Sequence, residues 1–230
     1  MPAKRNGKTV EDVYRQIKLK IYYNMLAPGQ KLIYQDLAQQ LNTSITPVVQ
    51  ALKLLERSRI VRYEPNKGYF VGEITETEAR ELYQAREALE IYSVPLILNN
   101  LDKAGLDAIR KAFKGYSKAA TSEERRVLMI RDAQFHLKII EYAHNQTIYG
   151  LLEDIFERIY LRYKPEYLWQ DRIRDALTEH RAMLEALGEG NLRSIKRLFR
   201  KHIQKGKEHI INNLRRPDDI FFNERMTENE

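Results

Sequence analysis

The chain has 230 residues, no cysteine and a formal net charge of +7. Without cysteine there is neither a disulfide framework nor a thiolate site, and a reducing, cytoplasmic home is expected. No apolar run reaches the length of a membrane span, and MPAKRNGKTVEDVY lacks an apolar core behind its basic residues, so neither a membrane segment nor a signal peptide is expected.

Residues 1–9 read as a flexible basic arm. From Val10, apolar residues at Val13, Ile17 and Ile21 recur at helical spacing, with Tyr14 beside them, and Leu26-Ala27-Pro28-Gly29-Gln30 supplies the turn that follows. The stretch QDLAQQLNTSITPVVQALKLLERSRIVRYEPNKGYFV, Gln35 to Val71, then predicts a short helix, a tight turn, a second helix and two strands. Leu37, Ala38 and Leu41 give the first helix its apolar face. Ser44 is a natural N-cap for the second, and Pro47 falls in its first turn, where a missing N–H costs little. Val48, Ala51, Leu52 and Leu55 form its buried stripe, leaving Gln50, Lys53 and Arg57 outward. Ile60 to Tyr63 and Gly68 to Val71 have strand composition around an Asn66-Lys67-Gly68 tip. A helical hairpin with a trailing β-hairpin would share some of these signals. The order and spacing of all of them are those of a winged helix-turn-helix, which sets a helix into the DNA major groove.

The charge supports the same partner once it is located. Met1 to Gly72 holds twelve Lys or Arg against five Asp or Glu, whereas the remainder holds 27 of each. The whole excess sits on the predicted DNA-binding module, as a phosphate backbone rewards through counterion release.

Beyond Val71 strand composition gives way to helical periods. Six helices are expected at about 76–99, 102–119, 122–143, 146–163, 168–187 and 191–213, with capping boxes at Thr75-Glu76-Thr77-Glu78 and Thr121-Ser122-Glu123-Glu124. Pro95 interrupts the first of them and is expected to kink it. The predicted fold is mainly α: a winged helix-turn-helix at 10–72, a linker at 73–76, an all-α metal- and effector-binding bundle at 77–213, and a polar tail at 214–230.

Four residues of the bundle suggest a site. Asp132 and His136, four apart, share one helix face; His180 and His202 lie on two later helices. A carboxylate and three imidazoles from three helices can converge on a divalent ion, and that donor set suits Zn²⁺, Ni²⁺ or Mn²⁺. Each residue alone has a plainer reading, an inward histidine as a hydrogen-bonded core residue and Asp132 as a surface acid. Phe135, Met183, Leu187 and Phe199 would frame the group with apolar side chains. His144, at a helix end, reads as a surface or capping residue, and His209 as an ordinary helix residue.

These residues resemble the GntR superfamily of regulators, FadR subfamily, whose C-terminal ligand domain is called FCD. The resemblance covers residues 10 to about 212 and rests on LAQQLNTSITPVVQALKLLE with IVRYEPNKGYFV, on LYQAREALE, on the D-x-x-F-H of Asp132 to His136, on EHRAMLEAL and on His202. It implies a homodimeric repressor or activator on a palindromic operator, a divalent metal at the matching Asp and three His, and a small carboxylate or sugar acid that shifts DNA affinity. It also implies that Arg86 clamps the effector's carboxylate, the alternative being a salt bridge with Glu90 or Glu87. One departure stands out. Where the family carries arginines in and before its recognition helix, this chain has Gln35, Ile45 and Val49. Thr43, Ser44, Thr46, Gln50 and Lys53 remain. Either the operator differs, with thymine methyls as partners for Ile45 or Val49, or binding leans on the arm, on phosphate contacts and on Asn66, Lys67 and Gly68 of the wing, or specific binding is weakened or lost.

The expected function is therefore a metabolite-responsive transcriptional repressor rather than an enzyme, binding double-stranded DNA as a homodimer, with no membrane partner. A direct metal-responsive regulator is the alternative. A helical-bundle metalloenzyme with an appended DNA-binding module is a further one, but no general base stands beside a nucleophile position.

Overall fold

The computed structural model describes residues 8–122 and 124–215, and it divides into two units. The first comprises the residues up to Glu73 together with Tyr160–Tyr163; the second comprises Ile74–Ile159 and the residues from Lys164 onward.

In the first unit, helix α1 (Val10–Tyr22) begins at Thr9, whose hydroxyl accepts from the Asp12 amide at 3.1 Å while the Asp12 carboxylate accepts from the Thr9 amide at 3.2 Å. This reciprocal pair satisfies two of the amides that a helix start leaves open. Val13, Ile17 and Ile21 then face a core shared with Leu37 and Ala38 of α2 (Tyr34–Gln40) and Val48, Ala51, Leu52 and Leu55 of α3 (Ile45–Arg57). Ser44 occupies the N-cap position of α3 in extended geometry, but its hydroxyl makes no capping hydrogen bond. Asn42, at φ 49°, turns the chain between α2 and α3.

Strands β2 (Val61–Glu64) and β3 (Gly68–Val71) form the expected hairpin, in the register Val61 opposite Val71 and Glu64 opposite Gly68. A third strand was not expected. β1 (Lys31–Leu32) pairs antiparallel with β3, placing β3 centrally in the order β1-β3-β2. Two residues carry no alternating pattern, so this strand is defined by its partner alone.

The second unit is helical. α4 (Glu76–Asn100) starts at Thr75, whose hydroxyl accepts from the Glu78 amide at 3.2 Å, and continues through Pro95. α5 (Lys103–Ala119) starts at Asp102, which accepts from the Gly105 amide at 2.7 Å. α6 (Arg125–Ile140) begins later than expected. The predicted capping box does not form there: Glu124 takes the N-cap position without a side-chain bond, and the Ser122 hydroxyl accepts from the Glu124 amide instead. A 3-10 turn (Glu141–Ala143) ends at His144, which is left-handed and exposed. α7 (Gln146–Tyr160) stops short of the expected 163, and Leu161, just past its end, is part of the core of the first unit. α8 (Gln170–Glu189) ends at left-handed Gly190, and α9 (Leu192–Arg215) completes the unit. The predicted arm and tail fall mostly outside the described residues.

α4 packs on α9 and α6, α5 on α6 and α8, and α8 on α9. The buried stripe of α4 runs Ala79, Leu82, Tyr83, Arg86, Glu90, Ser93, Val94, Ile97. A guanidinium and a carboxylate thus lie in the middle of an apolar stripe. Charges so placed need partners across the core.

Candidate metal centre and DNA-reading surface

The partners are histidines. α6 delivers Asp132 and His136 on one face, α8 delivers His180 and α9 delivers His202, and the donor atoms of the four lie within 4.8 Å of one another. His136 Nε2 lies 3.2 Å from His180 Nε2 and 3.1 Å from His202 Nε2, and the latter two are 3.2 Å apart. Asp132 Oδ1 is 3.4 Å from His180 Nε2. The four residues that the sequence brought forward as ligands thus converge.

The donor set fits a divalent cation. Three nitrogens at metal–nitrogen distances of about 2.1 Å stand about 3.0 Å apart in an octahedral face and about 3.4 Å apart in a tetrahedral one. The observed 3.1–3.2 Å lies between. Imidazoles must also be neutral to coordinate. Burial drives the His180 pKa down to about 3 against the opposing pull of Asp132, with His136, Arg172 and Arg86 adding to the lowering. Burial, then the neighbouring imidazoles, puts His202 well below the usual range. Asp132 is the most exposed of the four at 9%, while His136 and His180 are fully enclosed.

Arg86 is buried beside this centre. Its Nη2 donates to His136 Nε2 at 2.9 Å, its Nε donates to Glu90 Oε1 at 2.5 Å, and its guanidinium stands 4.6 Å over the Phe156 ring. The salt bridge to Glu90 is therefore present, and the other edge of the same guanidinium faces the imidazole cluster. Glu90 sits at 0% exposure. Burial alone opposes its charge, but Arg86 and His136 outweigh that and hold its pKa at about 2.

Aromatic rings enclose the cluster. Phe135 and Tyr116 lie 4.7 and 4.6 Å from the His180 ring, and Phe156 lies 5.6 Å from His136. Burial raises the Tyr83 pKa to about 12 despite Arg86, and burial likewise puts that of Tyr116 well above the usual phenol range, so both phenols stay protonated.

Sequence reasoning missed Glu179 and Arg172. Glu179 Oε2 accepts from His202 Nδ1 at 2.8 Å and from Arg172 Nη1 at 3.0 Å, and Lys205 stands 3.0 Å from its other oxygen. Arg172 and Glu179 are seven apart and so share a helix face, which was the available signal. His209 stands outside the cluster, half-buried, and donates from Nε2 to the Tyr167 carbonyl at 3.0 Å.

On the first unit, Ser44, Ile45, Thr46, Gln50 and Lys53 are exposed at the start and along the outer face of α3, with Thr43 and Val49 half-buried. Gln35 is exposed at the start of α2. At the wing tip Asn66 and Lys67 are exposed, and Lys67 pairs with Glu64 at 3.1 Å. Gly68 is buried with φ 96°, and a Cβ there would lie 3.1 Å from the Tyr34 hydroxyl; its part is to shape the turn.

Comparison with known proteins agrees with both units. Residues 9–71 match the family described as bacterial regulatory proteins, gntR family, and residues 81–205 match the FCD domain. The chain is 25% identical to an uncharacterized HTH-type transcriptional regulator, YdhC, of Bacillus subtilis over 86% of this chain and 88% of that one. It is 24% identical to the gluconate operon transcriptional repressor of the same organism over 81% and 79%. Among solved structures, E. coli McbR/YncC superimposes with a TM-score of 0.76 at 22% identity, covering 89% of this chain and 97% of that one, a likeness of fold. The matched families and relatives are regulators rather than enzymes, which sets the metalloenzyme reading aside. This chain belongs to the gntR family of bacterial regulatory proteins: it is a transcriptional regulator in which a winged helix-turn-helix is joined to an FCD domain.

Proposed function

We propose that the protein is a metabolite-responsive repressor that acts in the cytoplasm and binds a palindromic operator as a homodimer. In this reading a small carboxylate or sugar acid, bound at a metal in the bundle, modulates DNA affinity. The observation that carries it is the Arg86 guanidinium set against three converging imidazole nitrogens and Asp132 inside the FCD domain. A divalent ion at Asp132, His136, His180 and His202 supplies a Lewis-acid point for an anionic oxygen. Arg86, already aimed at His136, supplies a planar donor fork for the same carboxylate. The protonated Tyr83 and Tyr116 hydroxyls belong to the same buried neighbourhood. A repressor of a gluconate operon among the relatives supports a sugar acid as the effector class.

On the DNA side, Ile45, Thr46, Val49 and Gln50 are the proposed readers, joined by Gln35, Thr43 and Ser44, with phosphate contacts from Lys53 and from Asn66 and Lys67 on the wing, whose turn Gly68 shapes. The guanine-reading arginines that the family resemblance led us to expect are replaced by Gln35, Ile45 and Val49. The operator is therefore expected to depend more on thymine methyl contacts and on phosphate neutralisation.

The test is fluorescence anisotropy with DNA flanking the protein's own gene, repeated across salt concentrations and with a panel of sugar acids and short carboxylates. Affinity should fall linearly on a log–log salt plot, and at least one acid should shift it by tenfold or more. Salt-insensitive association, or indifference to every acid with metal present, would sink the proposal. The second reading, that the ion itself is the signal, is favoured by the self-sufficient set of four donors. It requires chelation to change DNA affinity reversibly with no acid present.

A further inference from the structure

Two of the three converging imidazoles are held from behind. His136 Nδ1 donates to Glu90 Oε2 at 2.8 Å, and His202 Nδ1 donates to Glu179 Oε2 at 2.8 Å. The third is not: His180 Nδ1 is buried without a hydrogen-bond partner. The supporting carboxylates come from α4 and α8, and each is gripped by a guanidinium of its own helix, Arg86 on Glu90 and Arg172 on Glu179.

The chemistry of such a pair is directional. An Nδ1–H that donates to a carboxylate leaves the lone pair on Nε2 and fixes the ring plane. In His136 and His202 the unprotonated Nε2 belongs to the shared point, where the three Nε2 atoms stand 3.1–3.2 Å apart and where Arg86 Nη2 also reaches His136 Nε2 at 2.9 Å. The carboxylate also strengthens the ring as a metal ligand, and the guanidinium behind it supplies the opposite charge that a buried carboxylate needs as a partner.

We propose that Glu90 and Glu179 are positioning residues of the metal centre, setting the tautomer and aim of His136 and His202, while His180 is steered by its aromatic neighbours Tyr116 and Phe135. This rests on reading Asp132, His136, His180 and His202 as a metal centre. A purely structural role would make each glutamate a counter-ion for its arginine and nothing more. The two roles differ in what Arg172 does: if Glu179 only neutralises Arg172, removing either partner has the same consequence. If Glu179 aims His202, removing the glutamate matters far more to the metal.

The experiment uses the full chain, stripped by a chelator and titrated with Zn²⁺ against a chromophoric competitor, for wild type, Glu90→Gln, Glu179→Gln and Arg172→Gln. Co²⁺ loading of each gives the visible ligand-field spectrum as a second readout. Each glutamate variant should bind Zn²⁺ roughly 10- to 100-fold more weakly and show a shifted Co²⁺ spectrum, while Arg172→Gln changes affinity several-fold at most. Glu179→Gln carries the test if Glu90→Gln does not fold. Wild-type affinity and spectra in the glutamate variants, or equal losses in Glu179→Gln and Arg172→Gln, would overturn the positioning role and leave the metal centre standing. No uptake by wild type would overturn both.

Discussion

His209 shows how one enclosed side chain ties stability to pH. Burial first, and the charge of Arg172 second, push its pKa down to about 4, with the hydrogen bond to the Tyr167 carbonyl opposing them. Trp169 meets its ring edge-on at 6.3 Å, and Asn213 shares the same carbonyl at 2.8 Å. The folded chain therefore holds His209 neutral in a range where the unfolded chain, with a pKa near 6.5, takes up a proton. Its contribution is complete above about pH 6.5 and is lost as the pH falls from there toward 4, by at most on the order of 3 kcal/mol. His209→Gln keeps a donor for Tyr167 and does not titrate. Urea midpoints at pH 7 and pH 5 should drop less in this variant than in wild type. Equal drops would assign the acid sensitivity to His180 and His202, whose depressed values act in the same direction.

A helix presents its chemistry as a face, and α3 divides cleanly. Val48, Ala51, Leu52 and Leu55 are buried, and Ile45, Thr46, Gln50, Lys53 and Arg57 are exposed. Lys53 is the first exposed cation along that face, so Lys53→Ala should weaken binding to every DNA sequence alike and reduce the log–log salt slope by about one. Anisotropy titrations at several salt concentrations measure this, and an unchanged slope would remove Lys53 from the phosphate contacts. The same division explains what the sequence made legible. Helices α1 to α9 follow from 3.6-residue periodicity, and Asp132 with His136 from a four-residue spacing on one of them. β1 is too short for a pattern, and its strand character comes from β3. α7 ends one residue before Leu161, which is buried with Val13, Ile17 and Leu55, a placement that helical periodicity does not show. Glu179 precedes His180 in sequence but serves His202 on another helix, so local spacing could reveal its pairing with Arg172 but not its role at His202, which is a property of packing.

At the scale of the molecule, the donors gather on three helices far apart in sequence. His136 and His202 are separated by 66 residues, and Glu90 lies 46 residues before His136. An ion bound by these groups stabilises every arrangement in which α6, α8 and α9 are docked, with α4 behind them, and no arrangement in which they are apart. By mass action the gain is about 2.7 kcal/mol at a hundredfold excess over the dissociation constant. Hydrogen exchange resolves where that gain appears. Adding Zn²⁺ to the stripped protein should slow exchange in α4, α6, α8 and α9, while amides of α1, α2 and α3 serve as the internal reference. If the bundle amides are unmoved while Zn²⁺ binds, the ion sits elsewhere and the cluster is only a buried histidine core. If α1 to α3 are slowed as strongly as the bundle, occupancy at the centre is felt in the DNA-binding unit without any acid, the behaviour that the direct metal-responsive reading requires.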